Sequence, residues 1–96
     1  MRLDKFLKVS RLVKRRSVAN ELAAQGRVRV NGREAKPGTQ LAIGDEVVLR
    51  FGEHYSFIKV RQLKEHVPKN EANELYEIMK PEEILKIDEL KKRAED

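Results

Sequence analysis

The chain has 96 residues, and its 21 Lys and Arg outnumber its 16 Asp and Glu, which gives a net charge of +5. This length allows one small domain with a tail and excludes a core joined to a large separate catalytic domain. There is no Cys, which excludes disulfides and thiolate metal sites, and no apolar run approaches the length of a membrane-spanning helix. We therefore expect a soluble cytoplasmic protein whose polyanionic partner is either nucleic acid or an anionic membrane surface.

The positive charge is concentrated at the start of the chain. Residues 1–50 hold 12 cations and 5 acids, whereas residues 51–96 hold 9 cations and 11 acids. The densest cluster has Asp4 as its single acid and contains Arg2, Lys5, Lys8, Arg11, Lys14, Arg15 and Arg16. The basic surface is therefore expected in the first half of the chain.

The first segment has the spacing of a short amphipathic helix. Its apolar residues share one helical face: Leu3, Phe6 and Leu7. Its charged residues project around the other side: Asp4, Lys5, Lys8 and Arg11. A rigid extension would place Leu12 among the lysines, so the helix is predicted to end or bend near Ser10 and to return Leu12 and Val13 to the core.

A second helix is predicted after a basic junction. Ser17 suits the N-cap, and the pattern stops at Gln25 and Gly26, where glycine favours the left-handed position after a helix. Three apolar residues are available for burial on this helix: Val18, Leu22 and Ala23. Arg15 and Arg16 stand just before the cap, where their guanidinium groups and the unpaired N–H groups of the first turn converge on a site for phosphate.

A β-hairpin is predicted next, between residues 27–30 and residues 33–35. Asn31 and Gly32 form the strongest signal for a two-residue type I′ turn, because both central residues of that turn need a positive φ. Period-two alternation turns Val28 and Val30 towards the core. The hairpin arginines are expected to line one face: Arg27, Arg29 and Arg33.

Two further strands are predicted, at residues 46–51 and 54–61, because these stretches are rich in β-branched residues or alternate in polarity. Leu41 and Ile43 are expected to return to the core between the hairpin and the third strand. The element order α-α-β-β-β-β predicts an α+β fold in which two N-terminal helices pack on a small antiparallel sheet.

The composition changes after Pro68. Residues 67–96 hold six cations, nine acids and no glycine. Two helical stripes are predicted there, one formed by Leu75, Ile78 and Met79, and the other by Ile84, Ile87 and Leu90. The chain is therefore divided into a domain at residues 1–66 and an acidic helical extension at 67–96. This extension either solubilises or stabilises the protein, or binds a partner.

The sequence carries no pattern of a catalytic or metal site. His54 and His66 lack metal-ligand spacing, and no glycine-rich loop precedes a helix. The serines show no pattern of an activated nucleophile. We expect a protein that is not an enzyme and that has no cofactor and no metal.

The small number of aromatic residues, only 5% of the chain, helps to decide which kind of nucleic acid the protein binds. Four of them are assigned to the core: Phe6, Phe51, Tyr55 and Phe57. This assignment disfavours base-stacking platforms for single strands, and no helix is typical of major-groove recognition. Recognition of folded RNA through its shape and phosphates is the favoured interpretation, and no membrane partner is expected.

Several motifs in a fixed order suggest a family. They are RLDKFL at residues 2–7, KRRS at 14–17, GRV at 26–28, VNG at 30–32, PG at 37–38 and GDEV at 44–47. Together they resemble the RNA-binding domain named after ribosomal protein S4, over about residues 1–60. The opening MRLDKFLKVSRL followed by KRR is most similar to stand-alone members of the RqcP type, which act in bacterial ribosome quality control and are related to a small ribosome-associated heat-shock protein.

This resemblance implies the S4-like fold, called the αL motif, and a factor on the large ribosomal subunit. It implies binding to subunits obstructed by peptidyl-tRNA, with contacts to large-subunit rRNA and to the tRNA near the P site. It also implies work with an RqcH-type factor that adds untemplated alanine to the stalled chain. We expect such a factor to be a monomer.

The resemblance also implies roles for individual residues. Six cations would grip RNA phosphates: Arg2, Lys8, Arg11, Lys14, Arg15 and Arg16. The candidate RNA-binding set is completed by Asp4, Lys5, Arg27, Arg29 and Arg33. Asp4 either accepts a hydrogen bond from a base or 2′-OH, or orients Arg2 or Lys8, and the orienting role is the favoured one.

Other functions remain open for the same domain. One is the targeting module of an RNA-modifying enzyme such as a pseudouridine synthase, which would need a separate catalytic subunit. A second is a heat-shock-type factor that recycles free large subunits. A third is a structural ribosomal protein present on every subunit.

Overall fold

The computed structural model describes residues 1–80, which form two α-helices and a five-stranded antiparallel sheet. Helix α1 spans Leu3–Val9 and helix α2 spans Arg16–Ala24. The strands, in the sheet order β2-β1-β3-β4-β5, are β1 (Val28–Val30), β2 (Arg33–Glu34), β3 (Glu46–Phe51), β4 (His54–Val60) and β5 (Tyr76–Ile78). A 3₁₀ helix at Lys69–Leu75 leads into β5. The predicted α+β fold is confirmed, with one strand more than the sequence indicated.

One face of the sheet packs against the two helices and forms a shared hydrophobic core with them. Val28 lies opposite Leu49, and Val47 lies opposite Ile58, so these four side chains point to one face. They share a buried cluster with residues of the helices and their connection: Leu3, Phe6, Leu7, Val13, Ala19, Leu22 and Ala23. Each fully buried Leu or Phe stabilises such a core by about 1.5–3 kcal/mol. The predicted apolar face of the first helix is therefore confirmed.

Helix α1 ends at the predicted place. Ser10 is its C-cap, and the Ser10 hydroxyl donates to the carbonyl oxygen of Leu7 at 3.2 Å. Arg11 then takes a φ of 63°, and the N–H of Val13 donates to the Leu7 carbonyl oxygen at 3.0 Å. This reversal returns Leu12 and Val13 to the core, as expected.

The β1–β2 turn also has the predicted conformation. Asn31 has a φ of 52° and Gly32 a φ of 82°. The Asn31 side chain in addition ties the turn to the start of β3, since its Nδ2 donates to Asp45 Oδ1 at 3.1 Å and its Oδ1 accepts from the N–H of Glu46 at 2.9 Å. The hairpin turn thus helps to place the neighbouring strand.

Ile43 does not return to the core, contrary to the prediction, and is 67% exposed. The reason is a tight turn, in which the Asp45 carboxylate accepts from the N–H of Ala42 at 2.9 Å and Gly44 takes a φ of 96°. Leu41, just before this turn, is buried as expected.

The predicted helix over Leu75, Ile78 and Met79 is wrong. Leu75 ends the 3₁₀ helix, and the following residues form β5, in which Tyr76 lies opposite Val60. In the sheet, the backbone of this segment is paired with β4, and the helical spacing of its apolar residues gives no sign of this pairing. The pairing also covers the edge of β4. The second predicted stripe, from Ile84 to Leu90, lies outside the described residues. The division of the chain between residues 66 and 67 stays a prediction.

Candidate nucleic-acid interface

Six of the predicted cations are exposed on the two helices and their connection. We call these six the N-terminal basic surface: Arg2, Lys8, Arg11, Lys14, Arg15 and Arg16. Arg2 immediately precedes α1 and Arg16 begins α2. The two helices pack against each other, and this contact brings both arginines to a single carboxylate, that of Asp4.

The Asp4 carboxylate is buried and accepts hydrogen bonds from both helices. Arg2 Nε and Nη2 donate to its two oxygens, each at 3.3 Å. Arg16 Nη2 donates to Oδ1 at 3.3 Å, and Asn20 Nδ2 donates to Oδ2 at 3.5 Å. The backbone N–H of Lys5 also donates to Oδ1, at 2.8 Å. One acid therefore holds two guanidinium groups in place.

The partners of Asp4 also keep it ionised. Burial raises the pKa of the Asp4 carboxyl, but hydrogen bonds from Arg16, Asn20 and Arg2, together with the charge of Arg16, outweigh burial and leave this pKa below its ordinary value of 3.8. The sequence favoured an orienting role towards Arg2 or Lys8. The structure has Asp4 orient Arg2 and Arg16 instead of Lys8.

The start of α1 is held by the loop after the hairpin. The first two N–H groups of α1 donate to the carbonyl oxygens of Thr39 and Pro37, at 2.8 and 3.1 Å. The Arg2 guanidinium lies next to Gly38, where a Cβ would make an ordinary van der Waals contact with it at 3.7 Å. The loop that contains the PG motif therefore supplies acceptors for the first two N–H groups of α1 and lies beside the Arg2 side chain.

Helix α2 begins earlier than predicted, and Ser17 is not its N-cap. Arg15 is the N-cap, because its carbonyl oxygen accepts from the N–H groups of Val18 and Ala19, both at 3.1 Å, and Arg16 is the first helical residue. Among residues 1–80, no hydrogen-bond acceptor is found for the backbone N–H groups of Arg16 and Ser17. Such a helix start favours an anion.

The hairpin arginines do not line one face, contrary to the prediction. Arg29 lies opposite Glu34 and Val48, whereas Arg33 lies opposite Val30. Since directly opposed side chains point to the same face, Arg29 and Arg33 point to opposite faces of the sheet. The two-residue turn explains this difference. It pairs Val30 with Arg33, so Arg33 shares the face of Val30, and Arg29 lies on the other face.

Lys5 and Arg27 are less accessible than the six cations of the N-terminal basic surface. Lys5 Nζ lies 2.8 Å from Glu65 Oε1, and this hydrogen bond and the lysine charge hold the pKa of the Glu65 carboxyl below its ordinary value. Arg27 is half-buried, and its carbonyl oxygen accepts from the N–H of Arg50 at 2.9 Å. RNA contacts by all eleven candidate residues, including Lys5 and the hairpin arginines, stay predictions.

Two residues of this region were not predicted correctly from the sequence: Asn20 was not assigned to the site, and Phe51 was assigned to the core. Asn20 donates to Asp4, and its spacing of four residues from Arg16 on one helix face is the signal that indicates a shared partner. Phe51 was assigned to the core but is 52% exposed at the end of β3. Its position at the end of a strand, beside the Gly52 turn into β4, is the corresponding signal.

The described part of the chain contains no group of three or more His, Cys, Asp or Glu residues arranged to hold a metal ion. In residues 1–80, no helix has both the length and the apolar character needed to cross a membrane.

Named relatives match nearly the whole chain. The RQC P-site tRNA stabilizing factor of Halalkalibacterium halodurans is 55% identical over 86 residues, which is 90% of this chain and 98% of the relative. The chain belongs to the RQC P-site tRNA stabilizing factor family. The RQC P-site tRNA stabilizing factor of Bacillus subtilis is 49% identical over 84 residues, with 98% of that relative covered. The resemblance to the RqcP type is confirmed.

Two further matches agree with membership of the RQC P-site tRNA stabilizing factor family. The S4 domain family matches residues 1–47, which contain every motif on which the resemblance rested. A solved structure of heat shock protein 15 from Vibrio cholerae has a TM-score of 0.78 and 30% identity, over 99% of this chain and 90% of that one. That structure is described as trimeric.

Proposed function

We propose that this protein is a non-catalytic, cytoplasmic RNA-binding factor of bacterial ribosome quality control. It binds large ribosomal subunits obstructed by peptidyl-tRNA and contacts large-subunit rRNA and the tRNA near the P site. The names of its relatives support the P-site tRNA as ligand. The observation that carries the proposal is the pairing of Arg2 and Arg16 on the buried carboxylate of Asp4.

The Asp4 arrangement suits phosphates of structured RNA. The Arg2 and Arg16 side chains are 49% and 48% exposed, and the hydrogen bonds to Asp4 engage only part of their donors. A guanidinium carries five N–H donors in a fixed plane, so one edge binds the carboxylate while the other faces the ligand. Two arginines oriented before binding lose little side-chain entropy on binding, which favours a defined arrangement of phosphates over any polyanion.

A finer part of the proposal concerns the outcome of binding. By holding the P-site tRNA on the obstructed subunit, the protein supports the addition of untemplated alanine by an RqcH-type factor. This step needs no catalytic group in the chain, only a stable arrangement of tRNA on rRNA. An in vitro tailing reaction with obstructed subunits and the RqcH-type factor should lengthen the alanine tail when the protein is added.

Binding is tested by sedimentation with purified large subunits, with and without a P-site peptidyl-tRNA. We expect co-sedimentation that strengthens when the tRNA is present. Arg16→Ala should weaken it by roughly 1.5–3 kcal/mol, the value of one hydrogen bond to a charged group, and should lower the slope of log affinity against log salt by about one. Lys69→Ala is the control, because Lys69 is exposed and lies outside the N-terminal basic surface. Equal binding by both variants would contradict the proposal.

The alternative functions give different results in the same assays. A heat-shock-type factor for recycling free subunits, which the likeness to heat shock protein 15 favours, would bind empty large subunits as tightly as those that carry tRNA. A structural ribosomal protein would also sediment with translating ribosomes. A targeting module would support pseudouridine formation only with a separate catalytic subunit.

We also propose that the protein acts as a monomer. One protomer presents both arginines on its own Asp4, so this pair needs no second chain. Sedimentation equilibrium of the free protein should give the mass of one chain, 11.2 kDa. A trimer, as described for the Vibrio cholerae protein, would contradict this proposal.

A further inference from the structure

Phe51 lies in a groove beside the N-terminal basic surface. It is the last residue of β3 and is 52% exposed, although aromatic side chains of small domains are usually buried. The groove has a volume of about 390 Å³ and is lined by Leu12, Val13, Lys14, Arg15, Val18 and Phe51. It therefore combines apolar side chains with two cations.

A single exposed apolar residue is common and indicates nothing by itself. Here the exposed ring shares its groove with Lys14 and Arg15, both of which are exposed cations. The apolar part suits a flat, uncharged group, and the cations suit a phosphate within a few ångströms of it. A nucleotide has this combination of a base and a phosphate, whereas an apolar protein side chain offers no partner to the two cations.

We propose that an unpaired nucleotide of the bound RNA stacks its base on Phe51 and places a phosphate at Lys14 and Arg15. This inference rests on the proposed function, since it supposes that RNA occupies the N-terminal basic surface. It adds a base contact to an interface otherwise built of phosphate contacts. The base must be unpaired, because a base inside a duplex cannot reach the face of a ring. The contact tolerates any base, since every base has a π-face.

The main test measures the affinity of Phe51 variants for large subunits that carry a P-site tRNA. Phe51→Ala and Phe51→Leu should bind roughly five- to a hundredfold more weakly, the range for loss of one base–aromatic stack. Phe51→Trp keeps an aromatic face and should bind within about twofold of the unmodified protein. Phe51→Leu separates stacking from apolar contact, because leucine fills the groove without a ring. Ile43→Ala is the matched control, since Ile43 is also an exposed large apolar side chain and does not line this groove.

A second test locates the nucleotide directly. Large subunits containing 4-thiouridine are irradiated with the bound protein, and crosslinked peptides are identified by mass spectrometry. A crosslink at Phe51 that disappears in Phe51→Leu supports the inference. A crosslink that forms only elsewhere on the protein overturns it.

The outcomes separate this inference from the proposed function. If the unmodified protein does not bind the subunits, the proposed function fails. If it binds, and Phe51→Ala and Phe51→Leu bind equally well, the function stands and the inference fails. If Phe51→Ala weakens binding to the RqcH-type factor while subunit binding is unchanged, the groove holds a protein segment and the inference is likewise overturned. Melting temperatures of all variants show whether each is folded.

Discussion

Arg16 Nη2 lies 3.3 Å from Asp4 Oδ1, across the contact between the start of α2 and the first turn of α1. The same carboxylate accepts from Arg2, so two cations that are distant in the sequence are held by one buried acid. An acid within a basic surface lowers its net charge and would weaken binding if charge alone mattered. The effect of Asp4 in the structure is geometric, because it sets where two guanidinium groups point.

Asp4→Asn should therefore weaken binding to obstructed large subunits even though it makes the protein more positive. We expect a loss of about 1–3 kcal/mol, since ordering each freed arginine on binding costs about 0.5–1.5 kcal/mol. The measurement is a binding curve at several salt concentrations. Glu65→Gln is the matched control, because it makes the same charge change at the exposed partner of Lys5 and leaves both arginines in place. Tighter binding by Asp4→Asn would show that net charge dominates.

The same carboxylate should produce an acid-dependent loss of stability. Its pKa in the folded protein lies below the ordinary value of 3.8, so the ionised form stabilises the fold fully above that value. This contribution is lost as pH falls through the lower pKa of the folded state. Melting temperatures of the unmodified protein and Asp4→Asn should differ at neutral pH and converge in strong acid. A constant difference at every pH would contradict an ionised Asp4.

Arg11 occupies a backbone conformation that favours glycine, with a φ of 63°. Arg11→Gly and Arg11→Ala remove the same charge, but only glycine adopts this conformation without strain. A side chain there costs about 1–2 kcal/mol, and the greater freedom of glycine in the unfolded chain offsets about 0.5–1 kcal/mol of that. Urea denaturation should show Arg11→Gly to be more stable than Arg11→Ala by about 0.5–1 kcal/mol. Both variants should bind RNA equally weakly, because both lack the cation.

Asn31 should affect folding and leave the RNA contacts alone. Asn31→Gly keeps the positive φ but loses the side-chain bonds to Asp45 and Glu46, at a cost of about 1–2 kcal/mol. Asn31→Ala loses the same bonds and also strains the turn, which adds about 1 kcal/mol. Urea denaturation measures both differences. An alanine variant as stable as the glycine variant would contradict the importance of the turn conformation.

Local patterns account for the parts of the fold that were predicted correctly. The type I′ turn was predicted from Asn31 and Gly32 alone, and the strand at residues 46–51 from its own β-branched residues. The end of α1 was predicted because a longer helix would place the apolar Leu12 among the lysines. Each of these signals acts within a few residues of the chain. The cluster of cations at residues 1–16 is likewise visible without a structure, as is the order of motifs that resembles the S4 domain.

Tertiary contacts decided the rest. Residues 76–78 form a strand because they pair with the free edge of β4. The residue pattern of that segment does not indicate that such an edge is available. Asp4 binds both Arg2 and Arg16 only when α2 packs on α1. Phe51 is exposed because β3 extends past the core to a turn. The sequence by itself determined which residues carry charge and where the chain turns. The packing of helices and strands decided which charges share a partner and which apolar side chains stay in solvent, since burial and pairing depend on residues far apart in the chain.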